Sequence, residues 1–260
     1  MATPGPASAA PATGRSVTMK VWRGDRAGGA FREYQMPVRE GVVVLDVIHD
    51  IQATAAPDLA CRWNCKAGKC GSCSAEINGK PRLMCMTRMD SLPEGTVTVA
   101  PMRTFPLYKD LATDVTFNYQ VAKTIPAFKP GPKEKDGTRR MMQEDVERGQ
   151  EFRKCIECFL CQNVCHVIRD HEENKAHFAG PRFIMRLTEL ETHPLDVNDR
   201  SELIHTKAGL GFCNITKCCT EVCPEHIHIT DNAIIPLKER IVSERYDPIM
   251  WIARKLAGKK

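Results

Sequence analysis

The sequence predicts an α+β protein, in which a small domain of strands and one helix precedes a mainly helical domain. Three observations predict this class. Apolar residues alternate from Val17 onward, the Asn78-Gly79 pair is a strong hairpin signal, and helical periods interrupted by cysteine-rich turns extend from residue 139. With 260 residues the chain has the length of two small domains, each able to bury a core.

The expected elements of the N-terminal domain follow from local patterns. Alternation of apolar residues predicts strands, apolar residues at helical spacing predict a helix, and β-branched residues favour a further strand. In chain order these are two strands joined near Gly28-Gly29, a helix from Val42 to Ile51, a hairpin of strands at 75–77 and 82–84, and a strand from Thr96 to Val99.

Composition divides the chain into five expected segments. Ala, Pro, Gly and Ser dominate its first residues, and proline and glycine are frequent again before the helical region, which is typical of a tail and a linker. The segments are a disordered tail at 1–15, the mixed domain with its connecting segment at 16–125, a linker at 126–138, the helical domain at 139–250 and a basic C-terminal tail at 251–260.

Several classes of function are disfavoured by what the sequence lacks. The net charge of +5 is not concentrated in one basic segment, so no nucleic-acid partner is expected. No apolar run reaches the ~18 residues of a membrane-spanning helix. Gly209-Leu210-Gly211 is too short for a dinucleotide fingerprint, and neither a nucleophile elbow nor a pair of catalytic carboxylates stands out. We therefore expect no catalytic residue on this chain.

Thirteen cysteines are the outstanding feature of the composition. Their odd number excludes complete pairing within the chain, and no secretory signal is evident, so a disulfide framework is disfavoured. A zinc-finger module would need histidines at finger spacing, which the eight histidines do not provide. A zinc-binding interaction module without redox activity stays a remote alternative.

The first cysteine group has the spacing of a plant-type [2Fe–2S] site. Its predicted ligands are Cys65, Cys70, Cys73 and Cys85. Gly68 and Gly71 would permit the backbone conformations with which a tight loop aims its N–H groups at sulfur. Structural zinc usually takes two Cys-x2-Cys pairs, and here the last cysteine stands alone. Cys61 is expected to be a spare, buried as a small apolar side chain.

The later cysteines form two runs of the bacterial ferredoxin type, and Thr216 occupies the second ligand position of the last run. In two-cluster ferredoxins the fourth cysteine of each run binds the other cluster, so one site receives four thiolates and the other three. The predicted ligands are Cys155, Cys158, Cys161 and Cys223 for a [4Fe–4S] cluster, and Cys165, Cys213 and Cys219 for a [3Fe–4S] cluster. The alternative is that Cys218 supplies a fourth thiolate to the second site.

This arrangement resembles the iron–sulfur subunits of succinate dehydrogenase and fumarate reductase. In that family a plant-type [2Fe–2S] domain precedes a helical dicluster domain, and the middle ligand of the last run is missing. The segment Phe105-Pro106-Leu107-Tyr108-Lys109-Asp110-Leu111 is similar to the family's connecting motif, and so is Gly180-Pro181 between the helical clusters. The resemblance covers roughly residues 17–245, which is nearly the whole chain.

The resemblance implies a role in electron transfer. The N-terminal domain would be a β-grasp ferredoxin domain facing a flavoprotein subunit that holds covalent FAD and the dicarboxylate site. Electrons would pass from FAD through the [2Fe–2S], [4Fe–4S] and [3Fe–4S] clusters to a quinone beside membrane-anchor subunits. The chain would be a peripheral membrane protein on the cytoplasmic face of a bacterial inner membrane. Its basic end with Trp251 would either touch anionic lipid or be a solvated tail.

Two positions depart from the family pattern. Cys165 is followed by His166 rather than proline and a Trp-rich stretch, and Asn214 stands where the family has histidine. Candidate residues near the quinone are His166, Arg169 and Asp170, because they follow a predicted [3Fe–4S] ligand, and their alternative role is an ordinary helix surface. The departure suggests an atypical anchor or a different quinone, such as menaquinone. A fumarate reductase or another flavin-linked dehydrogenase is the alternative function.

Overall fold

The computed structural model describes residues 15–249 and residue 252, without the side chains of residues 244 and 245. The predicted N-terminal tail lies outside the described residues except for Arg15, which is the first residue of a strand. The predicted C-terminal tail lies outside them except for Ile252. Within the described part of the chain, no helix combines the length and apolar character needed to cross a bilayer.

The first half of the described chain forms a mixed sheet. Its seven strands are β1 (Arg15–Asp25), β2 (Gly28–Val38), β3 (Ser74–Ile77), β4 (Lys80–Leu83), β5 (Thr96–Ala100), β6 (Leu107–Lys109) and β7 (Ala112–Thr113). The strand order is β4-β3-β5-β1-β6-β7, with β2 antiparallel to β1 along its whole length. Only β1 and β5 run parallel, and the helix that lies between them in the chain covers one face of the sheet.

Helices dominate the second half. The α-helices within the described residues are α1 (Val44–Thr54), α2 (Thr116–Ala122), α3 (Gln143–Arg153), α4 (Leu160–Val164), α5 (His166–Arg169), α6 (Pro181–Glu191), α7 (Ser201–Thr206), α8 (Cys218–Glu221) and α9 (Ile235–Tyr246). Short 3₁₀ turns lie at Met89–Ser91, Glu172–Ala176 and Leu210–Phe212, and a π-helical turn at Ile229–Ile234 leads into α9.

The periodicities seen in the sequence match the burial. Val17, Met19 and Val21 of β1 are buried and alternate with partly exposed residues, as a half-buried strand requires. Helix α1 buries Ile48 and Ile51 against this face. Its first turn is capped by Asp46, whose carboxylate accepts a hydrogen bond from the N–H of Val43 at 3.2 Å.

The predicted succession of a mixed sheet and a helical region is confirmed, whereas the finer assignment to the β-grasp fold stays a prediction. The hairpin signal Asn78-Gly79 joins β3 and β4 as expected, with both residues at positive φ. The short strands β6 and β7 escaped the sequence analysis because two or three residues show no alternation. Helix α2 belongs by packing to the second half, since Gln162 Nε2 donates to Asn118 Oδ1 at 3.0 Å.

A network of buried ion pairs and hydrogen bonds holds the start of the proline-rich linker against the helical region. Arg200 has no exposed side-chain surface and pairs with Asp196 at 2.7 Å and Glu191 at 3.3 Å. Its Nε and Nη2 atoms also donate to the carbonyl oxygen of Pro126, at 3.1 and 2.9 Å. The predicted linker at 126–138 contains no helix or strand and is held to the helical region by this arginine. The predicted segment boundaries themselves remain a prediction.

Replacing Arg200 with leucine should destabilise the protein strongly. The change leaves the carboxylate of Asp196 buried without its cation and leaves Glu191 with Arg240 alone. Breaking a buried pair in this way costs about 3–5 kcal/mol. For a chain of this size, that corresponds to a fall in Tm of about 6–20 °C in a calorimetric scan.

Arg88→Leu is the control for Arg200→Leu, because the ion pair of Arg88 with Asp90 is largely exposed and contributes little. Equal Tm values for Arg200→Leu, Arg88→Leu and the unmodified protein would contradict the structural role of the buried network.

Candidate metal centres

The loop between α1 and β3 is shaped around the first cysteine group. The backbone N–H groups of Ala67 and Lys69 both donate to Cys65 Sγ at 3.3 Å. Gly68 and Gly71 adopt φ of +67°, a conformation that costs glycine little, so the loop can turn its amides inward. The first group therefore has the N–H···S bonds that a thiolate ligand needs.

The remaining thiols of this group lie deeper. Cys73 and Cys85 are buried, and the N–H of Cys85 lies 3.5 Å from Cys73 Sγ. Burial raises the pKa of Cys73 to about 12, and the neighbouring Cys85 and Cys70 add to this effect. Burial also opposes ionisation of Cys70, but hydrogen bonds from Cys65 and Ser72 outweigh it and lower its pKa to about 7. The four thiols fit a cationic iron centre, whose charge would offset that of the ligands.

A cavity, which we call the central cavity, lies within the helical region. The four thiols that line it are those predicted to hold a [4Fe–4S] cluster, namely Cys155, Cys158, Cys161 and Cys223. Positive φ values at Glu157 and Phe159 allow the chain to reverse twice between the first three. Burial raises the pKa of Cys161 well above its usual value, and thiolates at its neighbours raise it further. The structure brings this set together, and ligation itself stays a prediction.

The third predicted set also converges. Burial raises the pKa of Cys165 to about 12, and thiolates at Cys218 and Cys219 add to the effect. Burial likewise raises the pKa of Cys219 to about 11, with contributions from Cys218 and Cys213. Cys218 acts electrostatically on both Cys165 and Cys219, so the alternative fourth thiolate stays open.

Thr216, which stands at the ligand position of the last run that lacks a cysteine, lies beside Cys218. Thr216 is exposed, and its Oγ1 lies 3.4 Å from Cys218 Sγ. Ile215 and Lys217 on either side both have positive φ, so the backbone turns sharply around the threonine. Among the described residues, no group of three His, Cys, Asp or Glu side chains is arranged for a single metal ion.

The first and second cysteine groups touch directly. A Cβ placed on Gly71 would lie 2.5 Å from Cys158 Cα, so the two backbones are in contact. Ser74 Oγ lies 2.9 Å from the carbonyl oxygen of Cys158 and 2.8 Å from that of Gly71. Lys69 and Glu225 add an ion pair at 2.9 Å. We call this contact of the two ligand loops the loop junction.

Of the candidate quinone residues, His166 and Arg169 lie on α5, directly after Cys165, and Asp170 follows the helix. His166 is half-buried, and Arg169 forms two hydrogen bonds with Asp170, at 3.0 and 3.1 Å. The pKa of Asp170 is lowered, first by the hydrogen bonds from Arg169 and further by the charges of Arg103 and His166. The part of these three residues in quinone binding stays a prediction.

Sequence reasoning missed several residues at these sites. Ser74 and Arg182 contact the cysteine groups, but a serine in a strand and an arginine after Gly180-Pro181 carry no spacing signal. The expectation for Cys61 is met in part: it is half-buried against the sheet core, and burial raises its pKa to about 12.

Gly71→Ala should destabilise the loop junction more than Gly79→Ala destabilises its hairpin. Both glycines have φ near +70°, which costs alanine about 1–2 kcal/mol. An added methyl at Gly79 meets open space, whereas at Gly71 it collides with Cys158, and such overpacking adds about 1–3 kcal/mol. The Tm of the cluster-loaded protein measures the difference, and equal losses for the two variants would disprove the close contact.

Two family models match this chain. A 2Fe–2S iron–sulfur cluster binding domain matches residues 18–120, and a 4Fe–4S dicluster domain matches residues 151–227. The first contains the four cysteines of the [2Fe–2S] prediction, and the second contains both later groups.

Among curated relatives, a fumarate reductase iron–sulfur subunit of Haemophilus influenzae is 30% identical over 75% of this chain and 80% of its own length. An uncharacterized iron–sulfur protein of Methanococcus maripaludis is 29% identical over 84% of this chain. The chain spans 42% of the length of that archaeal relative.

A solved structure, titled Mycobacterium smegmatis Sdh1 complex in the apo form, contains a chain that is 65% identical to this one. The match has a TM-score of 0.88 and covers 91% of this chain and 100% of the other. With its two cluster domains, its converging cysteine groups and these relatives, the chain belongs to the family of succinate dehydrogenase and fumarate reductase iron–sulfur subunits.

Proposed function

We propose that the chain is the electron-transfer subunit of a succinate:quinone oxidoreductase. The observation that supports this best is the continuity of the three cysteine groups. Gly71 rests on Cys158 at the loop junction, and Cys161 lies close enough to Cys219 for their charges to interact. When bound, iron–sulfur clusters accept and release single electrons, so three adjacent clusters would make a conducting path.

The proposed ligand sets are those of the sequence analysis. The [2Fe–2S] cluster is assigned to Cys65, Cys70, Cys73 and Cys85, the [4Fe–4S] cluster to Cys155, Cys158, Cys161 and Cys223, and the [3Fe–4S] cluster to Cys165, Cys213 and Cys219. The N–H···S bonds at Cys65 and the cavity lined by the second set support the first two assignments. The exposed Thr216 supports a missing iron in the third.

The ends of the path lie on partners. We propose that a flavoprotein subunit with FAD and the dicarboxylate site supplies the electrons. A quinone, for which we favour menaquinone, receives them where the helical region meets membrane-anchor subunits. The chain itself would be peripheral, on the cytoplasmic face of a bacterial inner membrane. In this proposal its N-terminal sheet and α1 are a β-grasp ferredoxin domain.

Succinate oxidation is the direction that we propose, because the 65% identical chain belongs to an Sdh1 complex. Relatives at 29–30% identity are named fumarate reductase subunits, so fumarate reduction is the second candidate. The ratio of succinate–quinone to quinol–fumarate activity of the purified complex decides between the two directions.

In the purified complex, each copy of this chain should hold nine irons, not counting iron bound by partner subunits. These are the two, four and three irons of the three proposed clusters. Electron paramagnetic resonance of the air-oxidised sample should show a [3Fe–4S] signal, because three thiolates hold three irons. Ten irons without that signal would mean that Cys218 or another group completes a second [4Fe–4S] cluster. A colourless, zinc-loaded protein would refute the proposed function.

Thr216→Cys should convert the three-iron site to a four-iron site. A thiolate at this position completes the ligand pattern of the run, so the iron count should rise by one and the oxidised [3Fe–4S] signal should disappear. Cys218→Ser is the matched variant, since it removes the neighbouring sulfur without filling the vacancy. An unchanged [3Fe–4S] signal in Cys218→Ser is expected, whereas a [3Fe–4S] signal that appears only in this variant would assign Cys218 as the fourth ligand.

His166→Ala should reduce kcat/KM for quinone by about tenfold, the loss expected for one hydrogen bond to a reacting group. The rate of succinate oxidation with an artificial dye as acceptor should stay unchanged. His171→Ala is the control, because His171 lies five residues away on an exposed turn. Unchanged quinone kinetics in His166→Ala would remove His166 from the proposed quinone site.

A further inference from the structure

Arg182 is an arginine that the ligand sets leave unexplained. It follows Gly180-Pro181 in the first turn of α6, and only 14% of its side chain is exposed. The side chain lines the cavity formed by Cys155, Cys158, Cys161 and Cys223. An arginine at the wall of a cavity lined by four thiols places a fixed positive charge where a metal cluster is expected.

One hydrogen-bond donor of this arginine has no acceptor. Its Nε atom is buried and lacks a partner among the described residues. A buried donor left unpaired is destabilising, and more so when the group is charged, so such donors nearly always have a partner in the complete protein. Arg182 lines two cavities, the central cavity and one beside Asn118 and Gln162, and the first is the one where four thiols would hold sulfur acceptors.

Arg182 forms an ion pair with a neighbouring carboxylate. Arg182 Nη2 pairs with Glu157 Oε1 at 2.5 Å, and Glu157 is the more exposed of the two. Arg182 lines the cavity together with Cys155 and Cys158, and Glu157 lies between these two cysteines in the chain. Both charges therefore lie next to predicted cluster ligands.

Other ionisable groups near the cavity are already paired. Glu225 also lines the cavity, but it is bound to Lys69 at the loop junction. Arg186 lies one helical turn after Arg182, does not line this cavity and pairs with Glu189 at 2.5 Å. Among the described residues, Arg182 is thus the one arginine or lysine that lines this cavity.

We propose that Arg182 donates its Nε hydrogen bond to a sulfur of the cluster held by Cys155, Cys158, Cys161 and Cys223, and that Arg182 and Glu157 shift the reduction potential of this cluster in opposite directions. The inference rests on the proposed function, since it requires a [4Fe–4S] cluster at these cysteines. In this proposal Arg182 touches the cofactor, and Glu157 acts on the cofactor through its ion pair with Arg182.

The direction of each effect follows from charge. One-electron reduction makes the cluster more negative, so a cation and an N–H donor at its sulfur stabilise the reduced form and raise the potential. A carboxylate nearby disfavours the reduced form and lowers the potential. Arg182→Gln should therefore lower the midpoint potential, while Glu157→Gln should raise it, because the arginine's charge is then no longer balanced.

The test is a redox titration of the whole purified complex, followed by electron paramagnetic resonance of each cluster. For Arg182→Gln we expect about a tenfold smaller equilibrium constant for reduction of the [4Fe–4S] cluster, or about 59 mV for one electron. Arg182→Lys keeps the charge and loses the Nε donor, so its potential should fall less. Glu157→Gln should move the potential upward, and Arg186→Gln, the matched control on the same helix, should leave it in place.

The possible outcomes separate the two claims. Absence of a [4Fe–4S] signal from the unmodified complex would overturn both the proposed function and this inference. If the cluster is present but its potential is unchanged in Arg182→Gln and Glu157→Gln, or shifts in the same direction in both, the inference is overturned and the proposed function stands. If Arg182→Gln fails to assemble, the sign of the shift in Glu157→Gln decides, because this exposed side chain can change without opening the core.

Discussion

The loop junction is the contact on which the rest of the structure depends. Two loops that each carry predicted cluster ligands meet backbone to backbone, with no room for a side chain between Gly71 and Cys158. Ser74 Oγ lies within hydrogen-bond distance of the carbonyl oxygens of Gly71 and Cys158. The ion pair of Lys69 with Glu225 adds a further contact between the two loops. A path for electrons between metal centres requires a short and constant separation, which this contact provides. The sheet on one side and the helices on the other hold the two loops in place.

Burial of thiols creates an electrostatic problem that the neighbouring groups solve. Desolvation raises the pKa of Cys158 and Cys165 to about 12, so thiolates at these depths need cations or hydrogen-bond donors beside them. In the exposed loop of the first group, two backbone N–H groups already donate to Cys65 Sγ. At the central cavity the iron itself and the guanidinium of Arg182 would supply the positive charge. The same groups that make the sites stable would therefore also set how easily they are reduced.

The connection between the halves is also restrained. Arg200 gathers the carbonyl of Pro126 and the carboxylates of Glu191 and Asp196 into one buried network, so a segment with no helix or strand still has a defined course. Asn163 Nδ2 donates to Glu76 Oε1 at 2.9 Å and ties the sheet to the helices at a further point. These contacts link residues far apart in the chain, and no local sequence pattern predicts them.

The sequence by itself determined the cysteine groups, the order of sheet and helices, and the Asn78-Gly79 hairpin, because ligand spacing, apolar periodicity and turn chemistry are local properties. It also pointed to the crossed assignment of Cys165 and Cys223, through the regular spacing of two similar runs. Only the tertiary structure decided which backbones touch, which carboxylates meet Arg200 and which arginine faces the central cavity. Those facts depend on contacts between residues distant in sequence, and such contacts exist only once the whole chain has packed.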